Sequence, residues 1–194
     1  MLEQRIQQQF FESADLLYQV AEPLSRPMAL AAQMLVDGIT GGGRLLCAGA
    51  GLAAQDAAYA AALLTGRFEQ ERPGLAAIAI NALLHQGPGV LDEAAGLARQ
   101  IQTLGHPGDL LLLIDNPSGS GASLVPLLEA AHAQDMSVVL LSGSQDEALR
   151  GALLDTDIPL RLPHSRFARV AEGYRLLCHC LCDAIDAQLL GIEE

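Results

Sequence analysis

The chain of 194 residues contains no lysine, because all eleven of its basic residues are arginines. Without lysine there can be no P-loop of the form GxxxxGK[ST], no Schiff base to a sugar and no lysine general base. Aromatic residues are scarce, at 4%, and the formal net charge is -12. This acidic balance disfavours direct binding to nucleic acid or to an anionic membrane, because both partners require a basic surface.

Long apolar runs are also missing from the sequence. No stretch approaches the ~18 apolar residues of a membrane span, and Met1–Arg5 carries charge and amide groups where a signal peptide is apolar. We therefore expect a cytoplasmic protein. The four cysteines are too few for a disulfide framework, and we expect reduced thiols.

Three of the cysteines raise the question of a metal site, because Cys178, Cys180 and Cys182 lie close to His179. On a helix, Cys178 and Cys182 share a face while Cys180 points away, so a single helix offers an incomplete zinc shell. No second cluster of cysteine and histidine supplies the missing ligands. We expect these cysteines to be small core residues, and we expect neither a metal nor a cofactor.

The spacing of apolar residues predicts an α/β fold. Residues 3–21 have the stripe of an amphipathic helix that ends at Pro23, and a second helix follows Pro27 and ends at Gly41. Short, nearly continuous apolar runs then alternate with segments long enough for helices, a pattern typical of a three-layer sandwich around a parallel sheet. The predicted strands are Arg44–Ala48, Leu75–Ile80, Asp109–Ile114, Ser137–Leu141 and Ile158–Leu162, and a long helix is predicted over Ser165–Leu190.

The organisation predicted from this pattern is a single domain. It has a helical extension at residues 1–40, an α/β core at 44–163 and a C-terminal helix at 165–190. The length suits this interpretation, because a chain of this size can bury roughly 70% of the surface that its unfolded form exposes.

Two glycine-rich loops follow the first and third predicted strands. Gly49–Gly51 and Asn116–Gly121 should lie side by side at the carboxyl edge of the sheet, where open α/β sheets bind ligands. Glycine amides and serine hydroxyls suit an anion, so this pair of loops resembles a phosphate cradle. Gly49-x-Gly51-x-x-Ala54 also imitates a dinucleotide fingerprint, but Ile80–Asn81 stands where the acid of that fingerprint belongs, which favours a simple tight turn.

Several motifs are spread over nearly the whole chain, namely Gly41–Gly51, Leu64–Phe68, Glu71–Leu75, Ala77–Asn81, Leu104–Asp109 and Arg161–Pro163. Together they resemble the sugar isomerase (SIS) domain family, in which phosphoheptose isomerase and the DnaA initiator-associating protein are two branches. Arg67–Pro73 and Cys180–Asp186 are more similar to the second branch. The resemblance implies a flavodoxin-like, five-stranded parallel sheet and a homotetramer, a dimer of dimers whose interfaces use the terminal helices.

The residues that the resemblance associates with isomerisation are replaced. Moving a proton between C1 and C2 of a sugar requires a base and an acid. Isomerases of the family have a histidine and a glutamate pair where this chain reads Tyr59–Leu63, and a histidine near the start of the last helix where it reads Ala171–Tyr174. Only Glu172 keeps an acid there. Asp115 also adds a carboxylate that would repel a phosphate. Because the family's base and acid are replaced and the phosphate site is altered, we expect no catalytic residue and no enzymatic activity.

The resemblance therefore implies a non-catalytic homotetramer that binds the replication initiator DnaA and promotes its assembly at the chromosomal origin. The candidate contacts with this partner are Arg72, Leu189 and Leu190. Ordinary packing between subunits explains the two leucines equally well.

Two alternatives keep a role for a phosphosugar. One is an isomerase of sedoheptulose 7-phosphate that works with substituted residues, and the other is a regulatory module that binds a phosphosugar without chemistry. The candidate residues of such a pocket, vestigial in the first interpretation, are Ser118, Ser120, Ser123 and Glu172.

Overall fold

The computed structural model describes residues 1–81, 92–117, 121–143 and 147–192. The strands are β1 Leu45–Gly49, β2 Ala77–Ala79, β3 Leu110–Ile114, β4 Ser137–Ser142 and β5 Ile158–Arg161. The helices are α1 Leu2–Thr40, α2 Ala53–Thr65, α3 Glu93–Leu104, α4 Val125–His132, α5 Glu147–Ala152 and α6 Phe167–Leu190, with a short 3₁₀ turn at Gly121–Leu124. Each predicted strand contains or overlaps an observed one.

The strands form one parallel sheet in the order β2-β1-β3-β4-β5. Leu46 of β1 is in register with Ile78 on one side and with Leu111 on the other. All residues of β1 and β3 are buried, which is why their sequences are continuously apolar rather than alternating. The predicted three-layer α/β fold with a five-stranded parallel sheet is confirmed.

Successive side chains of β1 enter opposite hydrophobic layers. Leu45 and Cys47 pack in the layer of α1, α2 and α6, whereas Leu46 and Ala48 pack in the layer of α3 and α4. The other three cysteines lie on the faces of α6 that their spacing predicted. Two of them, Cys178 and Cys182, join the layer of Cys47, and the third, Cys180, is exposed.

The buried thiols are held in the protonated form. Burial, together with neighbouring negative charge, raises the pKa of Cys178 and the pKa of Cys182 each to about 12. All four cysteines are free. Within the described ranges, no group of three or more His, Cys, Asp or Glu side chains is arranged to hold a metal ion. Over the same ranges, none of the helices has the length and apolar character of a membrane span.

The prediction that the N-terminal helix ends at Pro23 is wrong. α1 continues through Pro23 and Pro27, although a proline in a helix interior removes a backbone donor and costs about 3 kcal/mol. Buried residues on both sides of the prolines, Leu16 and Leu35 among them, fix α1 in the layer that it shares with α6. This tertiary packing offsets the local penalty, and a local sequence pattern carries no information about it.

Candidate functional site

The loops after β1 and β3 adjoin each other at the carboxyl edge of the sheet. Gly49 and Ile114, the last residues of these strands, are in register. A Cβ on Gly51 would lie 2.7 Å from Nδ2 of Asn116, so the two loops can approach this closely only because Gly51 has no side chain. Gly51 also has a φ of +58°, a conformation that glycine adopts without strain. The predicted juxtaposition is confirmed for the described start of the second loop, at Asn116.

The first loop presents a backbone amide to an anionic group. The Gly51 N–H donates to Oε1 of Glu93 at 2.9 Å, and Glu93 is the first residue of α3. α2 begins at Ala53, directly beyond the loop, and its first three backbone N–H groups already donate to the carbonyl oxygens of Ala50, Gly51 and Leu52. The donor that the loop directs at an anionic oxygen is therefore the Gly51 amide.

Asp115, whose carboxylate was expected to face an arriving phosphate, is a buried residue. It is only 1% exposed and lies directly after the buried strand β3. Burial, and secondarily the charge of Asp115, raise the pKa of the Tyr174 hydroxyl well above its usual range. Tyr174 is therefore a neutral phenol, and Asp115 is a buried carboxylate near it.

A group of four polar side chains and one phenylalanine lies where α2 packs against α6. We call Asp56, Tyr59, Phe68, Arg175 and His179 the α2–α6 cluster. Tyr59 Oη and His179 Nε2 are 2.9 Å apart, within hydrogen-bonding distance. The His179 ring stacks on Phe68 and meets Tyr59 edge-on, with ring centroids 5.6 Å apart in both pairs. The imidazole is thus held by a hydrogen bond and by two aromatic rings.

An ion pair completes the cluster beside the phenol. The guanidinium carbon of Arg175 lies 3.8 Å from the centroid of the Tyr59 ring, and Nη2 of Arg175 lies 2.6 Å from Oδ1 of Asp56. Burial raises the pKa of Asp56, and the charge and hydrogen bond of Arg175 reduce that rise without cancelling it. The cluster therefore combines a carboxylate, a cation, a phenol and an imidazole in partly buried surroundings.

The sequence analysis did not consider one imidazole of α6. The family's histidine is absent at Ala171–Tyr174, but His179 lies seven residues beyond Glu172 and therefore on nearly the same helical face. Tyr59 lies three residues beyond Asp56 on α2, again on one face. These spacings are the sequence signals that could have brought the cluster to attention, although neither helix alone shows that the two faces meet.

The predicted phosphosugar residues are only partly placed. Ser118 and Ser120 lie outside the described residues. Ser123 is exposed in the 3₁₀ turn after β3, close in sequence to the second loop. Glu172 accepts hydrogen bonds from Ser13 of α1 and from Arg169, the latter at 2.6 Å, so its carboxylate joins α6 to α1.

The predicted partner contact Arg72 is an interior side chain, and this corrects its assignment to a docking surface. Its guanidinium pairs with Asp186, with the two side chains 1% and 2% exposed. Arg72 also donates to the carbonyl oxygen of Leu64 at 2.9 Å. Leu189, on α6, packs against the core of its own chain, while Leu190 is 43% exposed. The assignment of the two leucines to a partner contact or to packing between subunits stays a prediction.

The parallel sheet, the adjoining loops and the helical layers on both faces define a three-layer α/β domain, and the sequence comparison identifies its family. The sequence profile of the SIS domain matches residues 9–143. The chain belongs to the SIS domain family.

Relatives within this family are phosphoheptose isomerases. The chain is 48% identical to phosphoheptose isomerase of Methylibium petroleiphilum, covering 100% of this chain and 98% of the relative. It is 38% identical to that of Aromatoleum aromaticum, covering 98% and 97%. The solved structure of a phosphoheptose isomerase from Francisella tularensis is similar, with a TM-score of 0.86, 32% identity, and coverage of 96% of this chain and 98% of that chain.

These relatives overturn the expected function. Proteins that align over the full length of the chain are enzymes that isomerise a phosphorylated heptose, as their names state. The prediction of a non-catalytic protein that binds DnaA is therefore wrong, and so is the prediction that the chain is not an enzyme. Both rested on short motifs and on replaced residues at two positions, whereas the alignment extends over the whole chain.

Proposed function

We propose that the protein is an isomerase that interconverts the ketose and aldose forms of a heptose 7-phosphate, with sedoheptulose 7-phosphate as the ketose. The observation that carries the proposal is the Tyr59–His179 pair in a chain that aligns end to end with phosphoheptose isomerases. The reaction removes a proton from C1 of the ketose, forms an enediol, and returns a proton to C2. It needs a base for the carbon-bound proton and an acid for the carbonyl oxygen.

The Tyr59–His179 pair meets this requirement. Histidine is the side chain best suited to accept and return a proton near neutral pH, and His179 is partly exposed between α2 and α6. The Tyr59 hydroxyl, 2.9 Å from Nε2, can donate to the oxygen that changes from carbonyl to hydroxyl. We assign the carbon-bound proton to His179 and the oxygen-bound proton to Tyr59.

The phosphate would bind at the loops after β1 and β3. The Gly51 amide donates to the carboxylate of Glu93, so this position accepts an anionic oxygen. Tyr59 lies six residues beyond Ala53, where α2 begins, which corresponds to about 9 Å along the helix axis. A phosphorylated seven-carbon sugar can extend from the loop to the pair, with its phosphate and its C1–C2 end at opposite ends.

The test is turnover of sedoheptulose 7-phosphate by the purified protein. We expect conversion by the wild type, a loss of about 10²- to 10⁴-fold in kcat for His179→Gln, and a substantial loss for Tyr59→Phe. Tyr18→Phe is the matched control, because Tyr18 is 90% exposed on α1. A wild-type protein without turnover, or a His179→Gln variant with full turnover, would refute the proposal.

We further propose that the protein acts as a homotetramer, a dimer of dimers. Leu2, Ile6 and Phe10 repeat every four residues along one face of α1 and are 72%, 50% and 72% exposed. Monomers seldom leave such a contiguous apolar face in water, and a second copy of the chain would cover it.

Substituting Phe10 by glutamate should therefore weaken the assembly. Light scattering coupled to size exclusion should give a mass of about four chains for the wild type and a smaller mass for the variant at the same concentration. The control is Gln7→Glu, which adds the same charge at an exposed polar position of α1. A wild-type monomer, or a Phe10→Glu protein of unchanged mass, would contradict the proposed assembly.

A further inference from the structure

Arg175 and Asp56 belong to the α2–α6 cluster, yet neither takes part in the proton transfers assigned to Tyr59 and His179. Asp56 and Tyr59 are three residues apart on α2, and Arg175 and His179 are four apart on α6. Residues at these spacings share a helical face. Each helix therefore contributes one ionic and one ring-bearing side chain, and the two helices meet through an ion pair and a phenol–imidazole contact side by side.

We propose that Arg175 is a positioning residue: its guanidinium, held by Asp56, stacks on the Tyr59 ring and fixes the phenol hydroxyl against Nε2 of His179. The inference rests on the proposed function, because the pair it positions is the proposed acid and base. The Asp56 carboxylate, with Oδ1 2.6 Å from Nη2, restrains the guanidinium at one of its nitrogens. With its carbon 3.8 Å from the ring centroid, the guanidinium then limits the rotation of Tyr59.

The imidazole is restrained from its other side. Phe68 stacks on His179 with the two ring planes inclined by 29°. The two partners of the hydrogen bond are thus each backed by a flat group, Tyr59 by the guanidinium and His179 by the Phe68 ring. A displacement of about 1 Å at a catalytic group can reduce the rate by about 100-fold, so restraint of this kind affects catalysis without any contact with the substrate.

The chemistry of the cation favours arginine at this position. A guanidinium is planar and can stack on a ring while it pairs with a carboxylate, whereas a lysine ammonium is a compact charge that cannot do both in one plane. The Arg175 side chain is 38% exposed and that of Asp56 is 13% exposed, so the pair is only partly accessible to water. Arg175→Lys therefore keeps the charge and removes the planar contact.

The experiment compares Arg175→Lys and the double variant Asp56→Asn/Arg175→Gln with the wild type, using steady-state turnover of sedoheptulose 7-phosphate. The double variant replaces the ion pair by two amides and leaves no buried charge unpaired. We expect kcat to fall by about tenfold in Arg175→Lys and further in the double variant, with KM changed by less than about threefold. Arg150→Lys is the control, because Arg150 is exposed on α5.

The second readout is the ¹³C–¹H spectrum of the histidine rings, in which the absence of a signal in His179→Gln identifies His179. We expect its ring signals to move in both variants and to stay unchanged in Arg150→Lys, while the signals of the other histidines stay in place. Unchanged kcat and unchanged His179 signals would overturn the inference, and so would movement of all histidine signals together, which indicates a general structural change. If the wild type shows no turnover, the proposed function fails, and the His179 signals alone decide the positioning role.

Discussion

Replacing Arg72 by methionine should destabilise the folded chain by about 3–5 kcal/mol, because the substitution removes one partner of a buried ion pair. The side chains of Arg72 and Asp186 are 1% and 2% exposed. Among the described residues, Oδ2 of Asp186 has no hydrogen-bond partner, so the carboxylate depends on Arg72 for compensation. Without the guanidinium, folding must bury an unpaired negative charge or protonate it.

Substituting the other partner of the pair, Asp186, should destabilise the chain less. In Asp186→Asn the guanidinium keeps the carbonyl oxygens of Leu63 and Leu64, at 3.2 and 2.9 Å, as acceptors. We expect a loss of about 1–3 kcal/mol, the usual range when a buried donor loses one partner. The double variant Arg72→Met/Asp186→Leu should recover much of the stability lost in Arg72→Met, because it removes both buried charges and replaces them by apolar groups.

The assay is urea unfolding followed by circular dichroism at one protein concentration, supported by thermal melting. At roughly 2–4 °C per kcal/mol for a chain of this length, Arg72→Met should melt roughly 6–20 °C below the wild type. Arg67→Met is the control, because it breaks an exposed pair with Glu71 and should change stability by less than about 1 kcal/mol. If Arg72→Met is no more destabilised than Arg67→Met, the buried-pair reasoning is refuted.

Two further predictions concern charged groups at opposite ends of the sheet. Burial by itself raises the pKa of Asp109, but hydrogen bonds and charge from Arg44 hold that pKa below the usual carboxyl range. The stability this provides is present above the unfolded-state pKa, about 3.9, and is lost as pH falls through the lower folded-state pKa. In urea unfolding, the wild type should have a higher free energy of unfolding than Asp109→Asn, by an amount that is constant from about pH 5 to 7 and decreases below about pH 4. A difference that increases in acid would contradict this role of Asp109. At the other end, Glu93→Gln removes a carboxylate that occupies the Gly51 amide, so KM for the sugar phosphate should fall with little change in kcat, and an unchanged or higher KM would contradict the assigned phosphate position.

Much of the fold could be predicted because its signals are local. Continuous apolar runs such as Leu110–Ile114 identify strands buried on both faces, and their alternation with helical segments leads to a parallel sheet. The exception is α1, in which Pro23 and Pro27 lie inside a continuous helix. The helix stays continuous at both prolines because it packs against α6, which lies at the other end of the sequence.

The candidate site was predicted less well, because it depends on contacts between distant segments. The approach of the first glycine-rich loop to the start of the second, at Asn116, followed from strand topology and was correct. The Tyr59–His179 contact joins residues on two helices, and neither helix has a local motif that identifies the pair. The sequence places Arg72 in a loop, where an exposed arginine is expected. In the structure its side chain is buried, because it pairs with Asp186 on α6, a contact between residues far apart in the sequence.

In the proposed reaction, His179 moves a proton between carbon and solvent-exchangeable positions of a heptose phosphate. The most direct measurement follows sedoheptulose 7-phosphate and the purified protein in D₂O by NMR, with His179→Gln in parallel. We expect the wild type to form the aldose with deuterium at C2, at least in part, and His179→Gln to form it about 10²- to 10⁴-fold more slowly. If the wild type forms no aldose, or if the two proteins form it at equal rates, His179 does not have the proposed role.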